Sequence, residues 1–421
     1  MTQPLIQSPA TPEYAEFQPN LPKRHRSSRI WRKLFQVSTI VGLVSLTLLL
    51  FNVTNTAFGY VAYQYRLDPT SLALDGVALE DMDQTQLISM LSKNISANAL
   101  KGLERDKPLL QRSEAELRSL IGQRITKPKV LGVWNLFDSL TRKAEIQAEA
   151  LAFDPESRLE FKSWLTRDFI TAPQDADPLW TGVRYAISGS LWTILITILV
   201  AFPLGVAAAI YLEEYASDSW VQRIIQTNIN NLAGVPSIIY GILGLALFVR
   251  LLEPLTSGAV FGVGDTTTAN GRTILSAGLT LALLVLPVII INAQEAIRAV
   301  PGSLRQASFG LGATRWQTVW HHVLPSALPG ILTGAILAIS RAIGETAPLV
   351  VVGASTYLTF NPNGPFSKFT TLPIQIYQWT SRPQDEFRSA AGAAILVLLI
   401  LLLSLNALAI LLRNRYSRRL S

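Results

Sequence analysis

Arg341 and Glu345 stand four positions apart inside one of the most apolar stretches of the chain. Four residues is about one helical turn, so in a helix both side chains lie on one face. No charge precedes Arg341 back to Ser326, which places it about 24 Å along such a helix. An arginine near the centre of a bilayer costs roughly 2.5–3.5 kcal/mol on insertion scales, so the pair needs a reason to be there. One reason is structural: an ion pair that neutralises itself between helices. The other is an anion site, because guanidinium is always charged and its fork fits the oxygens of an oxyanion such as phosphate. Glu345 would then hold the arginine in place, or repel anions in the wrong protonation state. A protonated phosphate can donate a hydrogen bond to a carboxylate, whereas sulfate has no proton to give.

Other chemistry finds no support. There is no G-x-x-x-x-G-K-[ST] loop, so ATP hydrolysis is not expected on this chain. His25, His321 and His322 lack metal-ligand spacing, and no G-x-S-x-G occurs. Gly310-Leu-Gly312 is too short for a dinucleotide fingerprint. The absence of cysteine excludes thiol catalysis and thiolate metal sites. No catalytic residue, metal or cofactor is expected. The net charge of +7 does not point to nucleic acid, because its densest runs flank apolar segments, where positive charge sets membrane orientation.

These residues must be positioned by a membrane protein. Hydrophobic residues make up 49% of the chain and charged residues 15%, against about 25% charged in soluble domains. The apolar residues gather in six blocks: Leu34–Val53, Tyr185–Leu212, Leu232–Leu252, Ile274–Ile291, Ala327–Val352 and Ala390–Leu412. Each nears the roughly 20 residues that cross a hydrocarbon core. The expected fold class is an all-α membrane protein with six transmembrane helices.

The organisation follows from these blocks. Residues 1–33 read as a disordered basic tail and 34–65 as the first transmembrane helix. Residues 66–178 read as a mainly helical extramembrane insert, with a capping box at Ser113 and Glu116. Residues 179–412 form a five-helix core containing a loop over 295–325, and 413–421 a second basic tail. Lys23, Arg24, Arg26, Arg29, Arg32 and Lys33, the C-terminal Arg413, Arg415, Arg418 and Arg419, and loop residues Arg223, Arg298, Arg305 and Arg315 fall on one side. Only Arg272, Lys368, Arg382 and Arg388 occupy the short loops of the other. Both termini are therefore expected in the cytoplasm of a multi-pass inner-membrane protein, with the insert outside. Asn228, Asn230, Asn231 and Asn406 are expected to bond across helices, and Arg250 to snorkel.

The loop before the fifth block reads Gln306-Ala-Ser-Phe-Gly-Leu-Gly312-Ala-Thr-Arg-Trp316 and closes on Val323-Leu-Pro325. Its glycine and proline punctuation predicts two short helices with a turn. Ala307, Leu311, Trp316 and Val319 could dock into a groove on a partner. Alternatively, the loop is a solvated connector lying on the membrane.

That stretch resembles the coupling-helix motif of ABC-transporter permeases, E-A-A-x3-G-x9-I-x-L-P. Gln306, Ala307 and Ser308 stand at E-A-A, Gly312 at the glycine, His322 at the isoleucine, and Leu324 and Pro325 at L-P. Glu is replaced by Gln and Ile by His. The resemblance implies that these residues, with Arg315 and Trp316, couple the chain to a separate ATPase.

A sharper resemblance, over roughly 180–415, is to phosphate ABC transporter permeases of the PstA type, inner-membrane components of binding-protein-dependent importers. Three stretches carry it. The first is Leu232-Ala-Gly-Val-Pro236-Ser-Ile-Ile-Tyr240-Gly241. The second runs from Ile331-Leu-Thr-Gly334 through Ala338-Ile-Ser-Arg341-Ala-Ile-Gly344-Glu345-Thr346-Ala-Pro348-Leu349. The third is Leu372-Pro373-Ile-Gln-Ile-Tyr377 with Asn406 to Arg413. The resemblance implies the type I importer permease fold and a phosphate pathway including Arg341, Glu345 and Thr346. It also implies a PstC-type permease as heterodimer partner, two PstB-type ATPase subunits, and a PstS-type periplasmic phosphate-binding protein. A second arginine that the family often carries falls at Ile291 here, so Arg298, two turns on, is the candidate to compensate. An importer of another oxyanion, an ion-coupled secondary transporter, and a non-transporting scaffold built around the insert stay open as alternatives.

Overall fold

A computed structural model describes residues 21–417, except 66, 68–71, 73–76, 80, 107, 113, 263–269 and 359–360. The tail over 1–20, Ser113 of the expected capping box, and Arg418 and Arg419 lie outside the described residues. The chain divides into two units, residues 1–52 and 53–421.

In the first unit the described residues form most of helix α1 (Leu21–Ala57). The basic run expected in a disordered tail is therefore helical. Pro22 in the first turn is compatible with a helix start, and no breaker separates the basic run from the apolar one. Every described side chain over 25–52 is exposed, as suits an apolar helix whose neighbours are lipid or another subunit.

The second unit begins with the last turn of α1 and passes without a linker into strand β1 (Phe58–Gln64). The first transmembrane helix thus stops at Ala57, short of the expected residue 65, and the insert starts there. Its elements are helices α2 (Gln84–Asn94), α3 (Ala97–Asp106) and α4 (Glu114–Ile121), strand β2 (Lys129–Val133), helices α5 (Leu136–Thr141) and α6 (Lys143–Phe153), strand β3 (Arg158–Ser163) and helix α7 (Arg167–Thr171). Helices α2 and α4 pack Leu87, Met90, Leu91, Leu117 and Ile121 into a small core. The strands form an antiparallel sheet in the order β2-β1-β3. Its Val61 and Tyr63 join Trp164, Phe169, Trp379 and Phe387 in a second core. Burial there pushes the Lys162 ammonium, seated 4.4 Å over the Trp164 ring, down to about 8.

The membrane core follows. It comprises α8 (Arg184–Ile210), α9 (Trp220–Ala233), α10 (Ser237–Gly244), a short α11 (Glu253–Thr256) and α12 (Ile274–Arg298). After these come α13 (Gly302–Gly310), α14 (Arg315–Thr318), α15 (Leu324–Gly344), α16 (Ala347–Val352), α17 (Leu372–Thr380) and α18 (Asp385–Ser417). Among the described residues, five helical segments are long and apolar enough to cross a membrane. The number is six if α9 and α10, bent by 105° at their junction and continued to Leu251, count as one span. Helix α12 is the most enclosed, and the Thr197 hydroxyl of α8 donates to the Gly278 carbonyl of α12 at 3.1 Å.

Candidate functional site

Arg341 occupies the last turn of α15. The sequence places one continuous span over Ala327–Val352; the structure interrupts it at Glu345 and Thr346 before α16 resumes. Pro348 explains the interruption: it has no N–H for the Gly344 carbonyl, and its ring would collide with that oxygen. Arg341 and Glu345 therefore stand at a helix break. Arg341 Nε approaches Glu345 Oε1 at only 3.4 Å, with the arginine side chain 50% exposed and the glutamate 15%. Thr346 is half-buried beside them.

The neighbouring face of α15 is the packed one. Ala338 and Ala342 are buried against Ala282, Leu284, Val285 and Tyr240. Their small side chains bring the helix close to its neighbours and turn Arg341 outward. A second break faces the first. Helix α9 ends at Gly234, Pro236 precedes α10, and the Tyr240 hydroxyl clamps the bend by donating to the Leu232 carbonyl at 2.7 Å. At Gly241, an added Cβ would sit 2.7 Å from Pro348 Cα. Only a glycine allows α10 and α16 to approach so closely. Gly241→Val is thus expected to destabilise the protein by about 1–3 kcal/mol through overpacking. A lower thermal midpoint in detergent checks this; an unchanged midpoint would mean that the two helices can part freely.

Arg298 is not brought to this site. Helices α12 and α15 run antiparallel, with Gly330 against Ala296 and Gly334 against Asn292. That register sets Arg341 level with Val285, about 20 Å of helix from Arg298. Arg298 instead forms a two-pronged pair with Glu213, at 2.8 Å from Nε and 2.7 Å from Nη2. Gln294 also donates to Glu213 at 3.0 Å and exchanges hydrogen bonds with Gln226. The next residue, Glu214, accepts from Arg305 Nε and Nη2 at 3.0 and 2.7 Å, while Arg305 also donates to the Val300 and Ile297 carbonyls. Both glutamates lie on the π-helical turn Tyr211–Tyr215 that ends α8. Successive residues on a helix point in different directions, so each glutamate reaches a different arginine. Sequence reasoning missed this clasp; its signal was an acidic pair closing an apolar segment opposite a basic loop.

The loop over 299–323 forms the two expected short helices. Gly312 between them has φ +83°, a left-handed conformation that glycine adopts without strain. Thr314 caps α14, reciprocated by Gln317. Gln306, Ala307, Arg315 and Trp316 are exposed, and Leu311 is 90% exposed. Ser308 is buried against the Thr318 hydroxyl at 2.8 Å, and Leu324 and Pro325 begin α15. Val319, expected among the docking residues, is instead buried at 2% exposure, at the start of the π-helical turn over 319–323. Phe309 and Trp320 are exposed and were not anticipated; Trp320 stacks on Trp316 with centroids 5.4 Å apart.

Residues 201–421 match the family described as binding-protein-dependent transport system inner membrane component. The chain belongs to this family. Relatives sharpen the match. A probable ABC transporter permease protein, YqgI of Bacillus subtilis, is 35% identical over 259 residues, covering 58% of this chain and 83% of the relative. The phosphate transport system permease protein PstA of Mycobacterium leprae is 36% identical over 241 residues, covering 57% and 73%. The phosphate transport system permease protein PstC of Pasteurella multocida is 33% identical over 230 residues, covering 50% and 66%. This protein is consistent with a PstA-type permease: a multi-pass, mostly helical ABC importer component. Two of the three stretches that carried the family resemblance, around Pro236 and Glu345, are the two helix breaks that meet at Gly241 and Pro348.

Of the intramembrane asparagines, Asn406 accepts from the Ser340 hydroxyl across helices at 2.6 Å. Asn228 donates within its own helix to the Ile224 carbonyl, and Asn230 accepts from Gln226 one turn back.

Proposed function

We propose that this permease forms half of the phosphate pathway of an ATP-driven importer, with Arg341 as its anion contact. The observation that carries this reading is a half-exposed guanidinium at membrane depth, held only loosely by Glu345 at a helix break. A cation turned away from its own bundle at that depth needs a polar partner, since lipid would leave it unsolvated. A PstC-type permease related by approximate two-fold symmetry would face it, and an oxyanion passing between the subunits would meet the fork. The PstA relatives at 33–36% identity favour phosphate as that anion.

In this reading both termini and the α13–α14 loop face the cytoplasm. The loop docks on one of two PstB-type ATPase subunits, and a PstS-type binding protein delivers phosphate on the insert side. Closure of the ATPase pair would move α13 and α14 as one piece. Glu213 and Glu214 would pass the movement to α8 through Arg298 and Arg305, so Arg298 acts as a mechanical tie and not as a pathway residue. Rigid-body tilting would then switch access to Arg341.

The test is accumulation of radiolabelled orthophosphate by vesicles carrying this chain with its partner subunits. No ATP-dependent accumulation of orthophosphate, with accumulation of radiolabelled sulfate by the same vesicles, would reassign the substrate to another oxyanion.

Glu345 carries a separate expectation. Its carboxylate can accept a hydrogen bond from protonated phosphate and repels sulfate, which has no proton to donate. Glu345→Gln is expected to reduce discrimination between the two by about tenfold, the order of one charge-assisted hydrogen bond. Unchanged sulfate competition in this variant would remove Glu345 from the selection step.

A further inference from the structure

We propose that α5 of the insert is a membrane-surface anchor whose Phe137 and Leu140 side chains enter the lipid headgroup region beside the end of α1. Phe137 and Leu140 are 55% and 74% exposed. Three positions apart on a helix, they sit side by side, whereas Ser139 between them is buried. They cannot turn inward, because the helix is fastened from below and behind. Asn135 caps it by accepting from the Asp138 N–H at 2.9 Å. The Ser139 hydroxyl donates to the Asn135 carbonyl at 2.6 Å and accepts from the Tyr60 N–H at 2.8 Å.

The occupant of this apolar face follows from where the helix is tied. The Phe137 N–H donates to the Asn55 side-chain oxygen at 2.6 Å. Asn55 lies in the last turn of a segment apolar enough to cross the membrane, which ends at Ala57. Strand β1 rises from that point without a linker, and β2 returns alongside it, Val133 opposite Val61, to deliver α5 at the level of the helix end. Helix α5 is therefore held where hydrocarbon gives way to headgroups. A short helix there with one apolar face lies in the interface, its side chains about 5–10 Å into the boundary. Phe153, equally exposed at 64%, is placed otherwise. Its neighbour Asp154 accepts from Gln64 at the far end of β1, about 20 Å further out at the rise of an extended strand.

The chain contains no cysteine, so single-cysteine variants can be labelled cleanly. Phe137→Cys, Leu140→Cys and Phe153→Cys would each carry an environment-sensitive nitrobenzoxadiazole dye on the full chain in phosphatidylethanolamine–phosphatidylglycerol vesicles. Lipids brominated close to the headgroup are expected to lower emission from positions 137 and 140 by about twofold, consistent with interfacial depth, and to leave position 153 unchanged. If Phe137→Cys fails to accumulate, Leu140→Cys carries the test alone. Quenching at 137 and 140 no greater than at 153 would overturn the proposal. So would quenching abolished on adding the sister permease, because a protein would then cover this face. Neither result depends on what the permease transports.

Discussion

Arg341→Ala is expected to lower phosphate accumulation by about a hundredfold or more. Hydrogen bonds to a charged group contribute about 1.5–3 kcal/mol each, a guanidinium fork supplies two, and about 1.4 kcal/mol is a factor of ten. The amount of permease in the membrane should hold. The Arg341–Glu345 contact is long at 3.4 Å and the guanidinium is half-exposed, so little folded-state energy is lost. Arg341→Lys should fall between, since an ammonium keeps the charge and loses the fork. Radiolabelled orthophosphate uptake normalised to immunoblotted permease checks both variants. Uptake retained in Arg341→Ala would make the pair a structural ion pair and remove the proposed pathway with it.

If the α13–α14 hairpin docks on an ATPase subunit as proposed, Leu311→Asp is expected to disconnect the two. Leu311 is almost wholly exposed, at 90%, at the tip of the hairpin turned by Gly312. Burying a leucine in a partner's groove contributes about 1.5–3 kcal/mol, and a carboxylate there adds the cost of desolvating a charge. Association should weaken by about a hundredfold, read as loss of the ATPase subunit on co-purification and loss of uptake. Because the hairpin's own fold rests on Ser308, Thr318 and Val319, the permease itself should accumulate normally. Val319→Asp makes the contrast, since it should deplete the permease. Full coupling in Leu311→Asp would place the docking surface elsewhere, with the stacked Trp316 and Trp320 as the next candidates.

Most of the candidate membrane-crossing segments were legible in the sequence because their determinants are local. Apolar run length sets where the chain crosses, and the spacing between Gln306 and Pro325 already implied a helix–turn–helix hairpin. The position of Pro348 could have announced the break after Gly344, yet apolar periodicity continues through it and masks it. Strand β1 was hidden for a related reason: it follows the first apolar helix directly, and only its pairing with β2 and β3, each distant in sequence, makes it a strand.

Composition and spacing by themselves determined a multi-pass membrane protein with a charged pair deep in its fifth apolar block and a helix–turn–helix hairpin before it; the permease family came from the resemblance of particular stretches. The tertiary structure alone decided which way those residues point. It turned Arg341 out by burying Ala338 and Ala342, turned Val319 in, spent Arg298 on Glu213, and set the two helix breaks against each other at Gly241. The physical reason is that charge and hydropathy belong to single residues, whereas exposure and ion-pair partners depend on which other helix comes within a few ångströms. In this chain those helices are separated by tens of residues of intervening sequence.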